Sequence, residues 1–266
     1  MHKKNKTVWI TGGGSGLGKA LARLYVSDGA TVVISGRDGS KLDSAAKEIN
    51  GDSSSEGKVF SLPFDASIDA DVDKTIAALR ELVGSIDTAI LSAGVCEYID
   101  ETFLDPALFR RVYDANLFGA VNSANVATSL FDKQSGRSQL VAISSISTMT
   151  GLPRAQAYGS SKAAVDYLFD SMAIDLRAEG IDVTVVQPGF ITTPMTSSND
   201  FPMPFEMSAE QAARRTKRAI ESRKRLYRFP GKLSALIAFA TRWKWLWYEC
   251  IAPKLVRHGR SEAGTS

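Results

Sequence analysis

A chain of 266 residues, 44% hydrophobic and 23% charged, has the composition of a globular protein able to bury one sizeable core. Two cysteines, Cys96 and Cys250, exclude a disulfide framework and point to reduced thiols in a cytoplasmic setting. The net charge of +3 is unevenly spread: residues 214–266 carry a balance of +11 and the preceding residues −8, yet no recognition motif accompanies the basic end, so nucleic acid is not an expected partner.

Lys3, Lys4 and Lys6 are followed by no apolar h-region, which argues against a secretory signal. No apolar run approaches the roughly 18 residues of a spanning helix. From there β-rich runs alternate with helical patterns, the signature of a parallel sheet covered on both faces. The expected strands are Thr7–Thr11, Thr31–Ser35, Lys58–Leu62, Ala89–Ser92, Gln139–Ser144, Asp182–Gln187 and Leu226–Phe229. The expected helices lie near 17–28, 39–49, 69–83, 106–130, 156–179 and 208–222, with Asp28-Gly29, Asn50-Gly51 and Glu179-Gly180 as stops. Ser53–Ser55 reads as a polar loop. Residues 190–207, rich in Pro, Met and Phe but without periodicity, read as a lid over an apolar substrate.

Two segments carry chemistry. Thr11-Gly12-Gly-Gly14-Ser15-Gly16-Leu17-Gly18 joins the first strand to the first helix. Glycines there let backbone approach a dinucleotide pyrophosphate, and the helix N-terminus offers it unpaired N–H groups and a positive dipole end. Tyr158 and Lys162 stand four residues apart, on one helix face. A cation near a phenol favours the tyrosinate and lowers its pKa toward working pH, which suits a general acid/base. With histidines only at His2 and His258, and no Cys/His cluster, a metal site is not expected.

With these two motifs in order, the chain resembles the short-chain dehydrogenase/reductase family over about residues 7–230. Further segments agree: Phe64-Asp65-Ala66, Ser92-Ala93-Gly94, Asp114-Ala-Asn116-Leu-Phe-Gly119, Ile143-Ser-Ser145 thirteen residues before Tyr158, and Gln187-Pro188-Gly189-Phe-Ile191-Thr-Thr193. The resemblance implies a doubly wound Rossmann sheet of about seven strands, ordered 3-2-1-4-5-6-7, with the site at the strands' carboxyl ends. It implies hydride transfer between a nicotinamide cofactor and a carbonyl or secondary alcohol. Tyr158 would be the proton donor, Ser145 would hold the substrate oxygen, Lys162 would tune Tyr158 and bind the nicotinamide ribose, and Asn116 would position a relay water. Asp65 and Ala66 would contact adenine; Pro188, Gly189, Ile191 and Thr193 would bind the carboxamide. Ser92 departs from the pattern, standing where the family usually has Asn. Ser144 competes with Ser145, but spacing to Tyr158 favours Ser145, and strand alternation exposes only one of them. Gly36 stands where an NAD-selecting carboxylate would be, and Arg37 follows with a planar cation suited to a 2′-phosphate, which favours NADP over NAD. Asp38 reads as a helix N-cap. The family also implies a homo-oligomer, dimer or tetramer, through the helices near 106–130 and 156–179. The rival reading is a non-catalytic NADP-binding sensor or scaffold.

The organisation expected is a catalytic domain over 1–230 and a C-terminal extension over 231–266. The extension holds Leu233-Ser-Ala-Leu-Ile-Ala-Phe-Ala240 and then Trp243-Lys-Trp-Leu-Trp-Tyr248. Residues 231–256 read as one amphipathic helix ended by Pro253, with Leu236, Ile237, Ala240, Trp243, Trp247 and Ile251 on its apolar face. Clustered Trp beside Arg242 and Lys244 fits a helix lying on a membrane surface. It fits equally an arm over the substrate mouth or a partner subunit, and both readings stand at this point.

Overall fold

The computed structural model describes residues 6–52, 56–99, 104–132, 138–197, 199 and 201–255. The Ser53–Ser55 loop lies outside them. Strands β1 (Thr7–Thr11), β2 (Thr31–Gly36), β3 (Lys58–Pro63), β4 (Thr88–Leu91), β5 (Gln139–Ile143), β6 (Asp182–Pro188) and β9 (Leu226–Phe229) form a seven-stranded sheet in the order β3-β2-β1-β4-β5-β6-β9. All its pairings are parallel. This is a doubly wound Rossmann-type sheet in one domain, the order reversing between β1 and β4.

Period-2 alternation in strands covered on both sides sends successive residues to opposite cores. Val8 and Ile10 of β1 join Val32, Ile34 and Val141 beneath α1 (Gly16–Ser27), α2 (Gly39–Asn50) and α7 (Ala209–Glu221). Trp9 points the other way with Val33, Leu91 and Leu140, under α3 (Val72–Val83), α5 (Gly119–Leu130) and α6 (Gln156–Asp175). The one polar atom of fully buried Trp9, its indole N–H, donates to Ser35 Oγ at 3.0 Å.

Where the spacing predicts one helix over 106–130, the chain forms α4 (Pro106–Tyr113), a π-helical turn at Asp114–Phe118, and α5. The interruption falls at Asn116, whose buried amide is drawn off the helix to pair with the backbone of Val95. The helix expected to start at 69 opens with a 3₁₀ turn, and α6 closes with another at Leu176–Glu179 before Gly180 in the left-handed region. Within 190–207 a two-residue ribbon, β7 (Ile191–Thr192) against β8 (Met207–Ser208), was not expected; it is too short to show alternation.

The C-terminal segment is not one helix. α8 (Gly231–Arg242) ends at Trp243, and a π-helical turn at Leu246–Ile251 and a 3₁₀ turn at Ala252–Leu255 follow. The predicted apolar face accordingly splits: Ala240 and Trp247 are buried, while Leu236 and Trp243 are exposed. No helix among the described residues is long and apolar enough to cross a membrane.

Candidate active site

The turn from β1 into α1 is built from backbone contacts that leave no room for side chains. A Cβ on Gly18 would stand 2.3 Å from the Gly12 carbonyl oxygen. Gly12, at φ +69, would put one 2.8 Å from the amide of Ala93 in the loop after β4. Ala93 N donates to Thr11 Oγ1 at 3.3 Å, which ties the first strand's end to that loop. The turn, Arg37, Asp65–Ala66 and Ala93–Gly94 line one cleft at the carboxyl ends of β1–β4. A bare backbone cradle, open N–H groups at the start of α1 and a cation at one end fit a dinucleotide with its phosphates. Thr193 reaches the same turn, its methyl 3.0 Å from a Cβ built on Gly16, so the segment after β6 approaches the cleft. Leu17, Gly18, Ser92, Pro188, Gly189 and Ile191 do not line that cleft.

At the end of β2, Arg37 is exposed on the cleft rim. Asp38 caps α2, its Oδ1 accepting from Lys41 N at 3.0 Å and from Ser40 Oγ at 2.7 Å. These bonds hold its carboxyl below the usual range. Lys41, one turn into α2, lines the same cleft. Sequence spacing had not singled it out; it lines the cleft together with Arg37.

On the other side, β5 and α6 bring Ser145, Tyr158 and Lys162 together. Ser144 is buried and Ser145 half-exposed; both follow the end of β5 at Ile143, and Ser145 caps the 3₁₀ turn that comes next. Ser145 Oγ accepts from Ser147 N at 3.1 Å and is hydrogen-bonded with the Tyr158 hydroxyl. Lys162, 6% exposed, donates from Nζ to the Ile143 carbonyl at 3.0 Å. A Cβ on Gly94 would meet Asn116 Oδ1 at 2.9 Å and Lys162 Nζ at 3.3 Å, so both groups crowd the end of the cofactor cleft. Asn116 accepts from Val95 N at 2.8 Å and donates to Val95 O and to Ser161 Oγ, each at 3.0 Å. A cavity of about 10 Å³, near the space one water needs, is lined by both Asn116 and Lys162.

The electrostatics correct one expectation. Burial pushes the Tyr158 phenol above its ordinary value, and the Ser145 hydrogen bond only partly offsets it. Burial is the larger influence on the phenol; Lys162, on the same helix face, is itself desolvated, donates to the Ile143 carbonyl and is pulled down to about 8. What holds Lys162 charged is Asp166, one turn further along α6. Asp166 Oδ2 accepts from Gln187 Nε2 at 2.6 Å; Gln187 also donates to Thr148 and accepts from Arg228. This partly buried network was missed, although Tyr158, Lys162 and Asp166 follow one another at the i, i+4, i+8 spacing of a single helix face.

Phe190 and Tyr98 each pack edge-on against Phe201, at 6.0 and 5.3 Å, and the Arg154 guanidinium lies 5.4 Å over Tyr98. The segment read as a lid therefore sets an aromatic cluster near Cys96, whose thiol hydrogen-bonds with Tyr98.

The sequence matches the short chain dehydrogenase family over residues 6–202, and the chain belongs to that family. An uncharacterized oxidoreductase of Staphylococcus haemolyticus is 31% identical over 192 residues, covering 72% of this chain and 80% of that protein. Dehydrogenase/reductase SDR family member 7B of Rattus norvegicus is 32% identical over 198 residues, 72% of this chain and 60% of that protein. Among solved structures, a short-chain type dehydrogenase/reductase from Mycobacterium ulcerans superposes with a TM-score of 0.78 at 26% identity, covering 94% of this chain and 98% of that one. Membership makes the chain a hydride-transfer oxidoreductase that uses a nicotinamide cofactor on a small molecule.

Proposed function

We propose that the protein reduces the carbonyl group of an apolar substrate, or oxidises the corresponding secondary alcohol, with NADP(H). The observation that carries the reading is the juxtaposition of Ser145, Tyr158 and Lys162 at the end of a cleft whose far rim carries Arg37 and Lys41. Arg37 after β2 and Lys41 in α2, with Asp38 occupied by its capping bonds, favour a ligand bearing a 2′-phosphate.

A bound nicotinamide supplies the hydride to the carbonyl carbon. Tyr158, kept protonated by burial, gives its proton to the developing alkoxide oxygen. Ser145 orients that oxygen by hydrogen bond, and the protein dipoles around it need no reorganisation. Lys162, bonded to Ile143 and kept charged by Asp166, puts a cation one turn along α6 from Tyr158, where it opposes the negative charge left on the phenol. Asn116, across the small cavity from Lys162, positions a water through which the proton returns. The aromatic cluster of Tyr98, Phe190 and Phe201 supports an apolar substrate.

In this reading residues 1–230 are the catalytic domain and 231–266 an extension. Cys96 and Cys250, both free thiols, agree with a reducing, cytoplasmic setting. Exposed Phe118, Val121, Tyr167 and Ile174, on and beside α5 and α6, support a homo-oligomeric contact there. The test is turnover of purified protein with NADPH and with NADH against a panel of apolar ketones. Cofactor binding without turnover on any of them would favour a sensor or scaffold, and equal use of NADH would remove the role given to the two cations.

A further inference from the structure

The C-terminal segment has two faces with opposite fates. Its inner side chains, Leu233, Ala240 and Trp247, are buried. Trp247 Nε1 donates to the Gly151 carbonyl at 3.2 Å, and Trp247 and Ala252 pack with Leu152 and Ile251. Gly151 and Leu152 lie in the loop between Ser145 and Tyr158. Leu233 stands over Gly189 and beside Ile146, since a Cβ built on that glycine would meet Leu233 at 3.3 Å and Ile146 at 3.2 Å. The segment is thus clamped onto the loops that frame the catalytic groups.

The outer face is formed by Lys232, Ala235, Leu236, Phe239, Arg242 and Trp243, all exposed and spaced i, i+3, i+4, i+7, i+10, i+11 on α8. The chain leaves the helix at Trp243, and Lys244 and Trp245, which follow, are exposed as well. Phe239 is 69% exposed, Trp243 63% and Trp245 71%, a cost in hydration that scattered surface apolar residues do not concentrate in one place. Lys232, Arg242, Lys244 and Lys254 accompany them, against Glu249 as the single acidic residue of 231–255.

We propose that this face docks on an anionic lipid bilayer, with the aromatic side chains in the interface and the cations on the headgroups. Rings that are apolar in the body, next to long cationic side chains, match the two layers of such a surface. A second copy of the same face fits poorly: a two-fold contact would set the cations of one strip against those of the other with one glutamate from each to compensate. Because the inner side chains clamp the same segment to the loop before Tyr158, docking brings the substrate entrance to the lipid. That last step, delivery of an apolar substrate from the bilayer, rests on the reading of the site as an apolar-carbonyl reductase; the docking does not.

Flotation of the full chain with vesicles of phosphatidylcholine, with and without phosphatidylglycerol, tests it. The protein should float with the phosphatidylglycerol vesicles, with blue-shifted Trp emission, and loosen in part as salt screens the charged contribution. Reversing Lys232, Arg242 or Lys244 to Glu should each lower partition at least about fivefold, the equivalent of about 1 kcal/mol per cation near the surface. Phe239→Ser with Trp243→Ser and Trp245→Ser should abolish flotation while NADPH titration stays unchanged, which shows the variant folded. Intact protein that remains unbound by both vesicles overturns the proposal. So does a triple variant that still floats, or one whose only change is loss of a self-associated species in sedimentation. Turnover of a water-soluble ketone without lipid is measured alongside, so a failed membrane site and a failed reductase give different results.

Discussion

The glycine turn at residues 11–18 and the C-terminal segment at 231–255 both lie at the rim of the active site, and they hold their places by opposite means. The turn is backbone against backbone: Gly12 on Ala93, Gly18 on Gly12, with no slack of even one methyl. The C-terminal segment is side chain against loop: an indole hydrogen bond to Gly151 and a small apolar cluster around Trp247. A contact made by backbone is specified by the absence of side chains, which a sequence displays directly. A contact made by an apolar side chain is specified by which way it faces, and composition alone does not show that.

The largest expected effect comes from breaking the turn. Gly18→Ala places a methyl 2.3 Å from a carbonyl oxygen of a rigid turn, where no flexible side chain is available to move. Overpacking of this kind costs about 1–3 kcal/mol or more, and here the relief must come from the phosphate cradle itself. NADPH affinity and melting temperature should both fall, measured by titration and by thermal unfolding. An unchanged affinity would mean that the cradle has slack the geometry does not show.

Tyr158→Phe comes next, and it touches chemistry alone. Loss of a general acid costs about 10²–10⁴-fold in turnover, while NADPH binding should stay within a factor of a few. Turnover retained in folded protein would move the proton-donor role elsewhere.

Arg37→Ala and Lys41→Ala sharpen the cofactor side. A charge-assisted contact to a phosphate is worth about 1.5–3 kcal/mol, so each variant should weaken NADPH by roughly ten- to a hundredfold and leave NADH nearly unaltered. Equal losses for both cofactors would assign these residues to structure.

Legibility differed along the same line as the contacts. Strand positions, the glycine turn and the face shared by Tyr158 and Lys162 follow from period and spacing, and the strands lie close to where the residues predict; their order came from the family resemblance and is the one found. Ser145 over Ser144 followed from its spacing to Tyr158, and of the two Ser145 is the more exposed. The π turn at Asn116 did not, because it depends on a partner, the Val95 backbone, twenty-one residues away. Nor did the Asp166–Gln187–Arg228 network, which joins α6, β6 and β9, three elements that only the finished sheet brings together. The fate of the Tyr158 pKa was also hidden: spacing shows the neighbouring ammonium, whereas burial, the larger influence, belongs to the fold.

Asp166→Asn tests that network through a readout that packing alone would not move. Lys162 sits near 8 because burial lowers it and Asp166 raises it; Cys96 also pulls it upward. The ammonium form is present below that value and lost above it, so reductive turnover should decline as pH rises through about 8. With the carboxylate gone, Lys162 gives up its proton more readily and the decline should move to lower pH. The amide keeps the shape and can still pair with Gln187 once one of the two amides turns over. A uniform loss of rate with an unmoved pH profile would make Asp166 a packing residue only.

The smallest effect closes the comparison, and it lies within the C-terminal segment itself. Trp247 and Trp243 differ by four residues and by ten times in exposure, 6% against 63%. Trp247→Ala removes a buried indole and its bond to Gly151, a change that costs about 3–5 kcal/mol in a core. At a segment packed on one side the loss should be smaller and local, seen as faster amide exchange in α8 and the loop around Gly151. Trp243→Ala removes a side chain that already faces solvent, and in the absence of lipid it should shift stability by no more than about 0.5 kcal/mol. A large loss from Trp243→Ala would mean that the outer face is covered within the protein's own assembly. Near-neutrality in solution, set against a loss on vesicles, would separate a residue kept for the fold from one kept for the surface it meets.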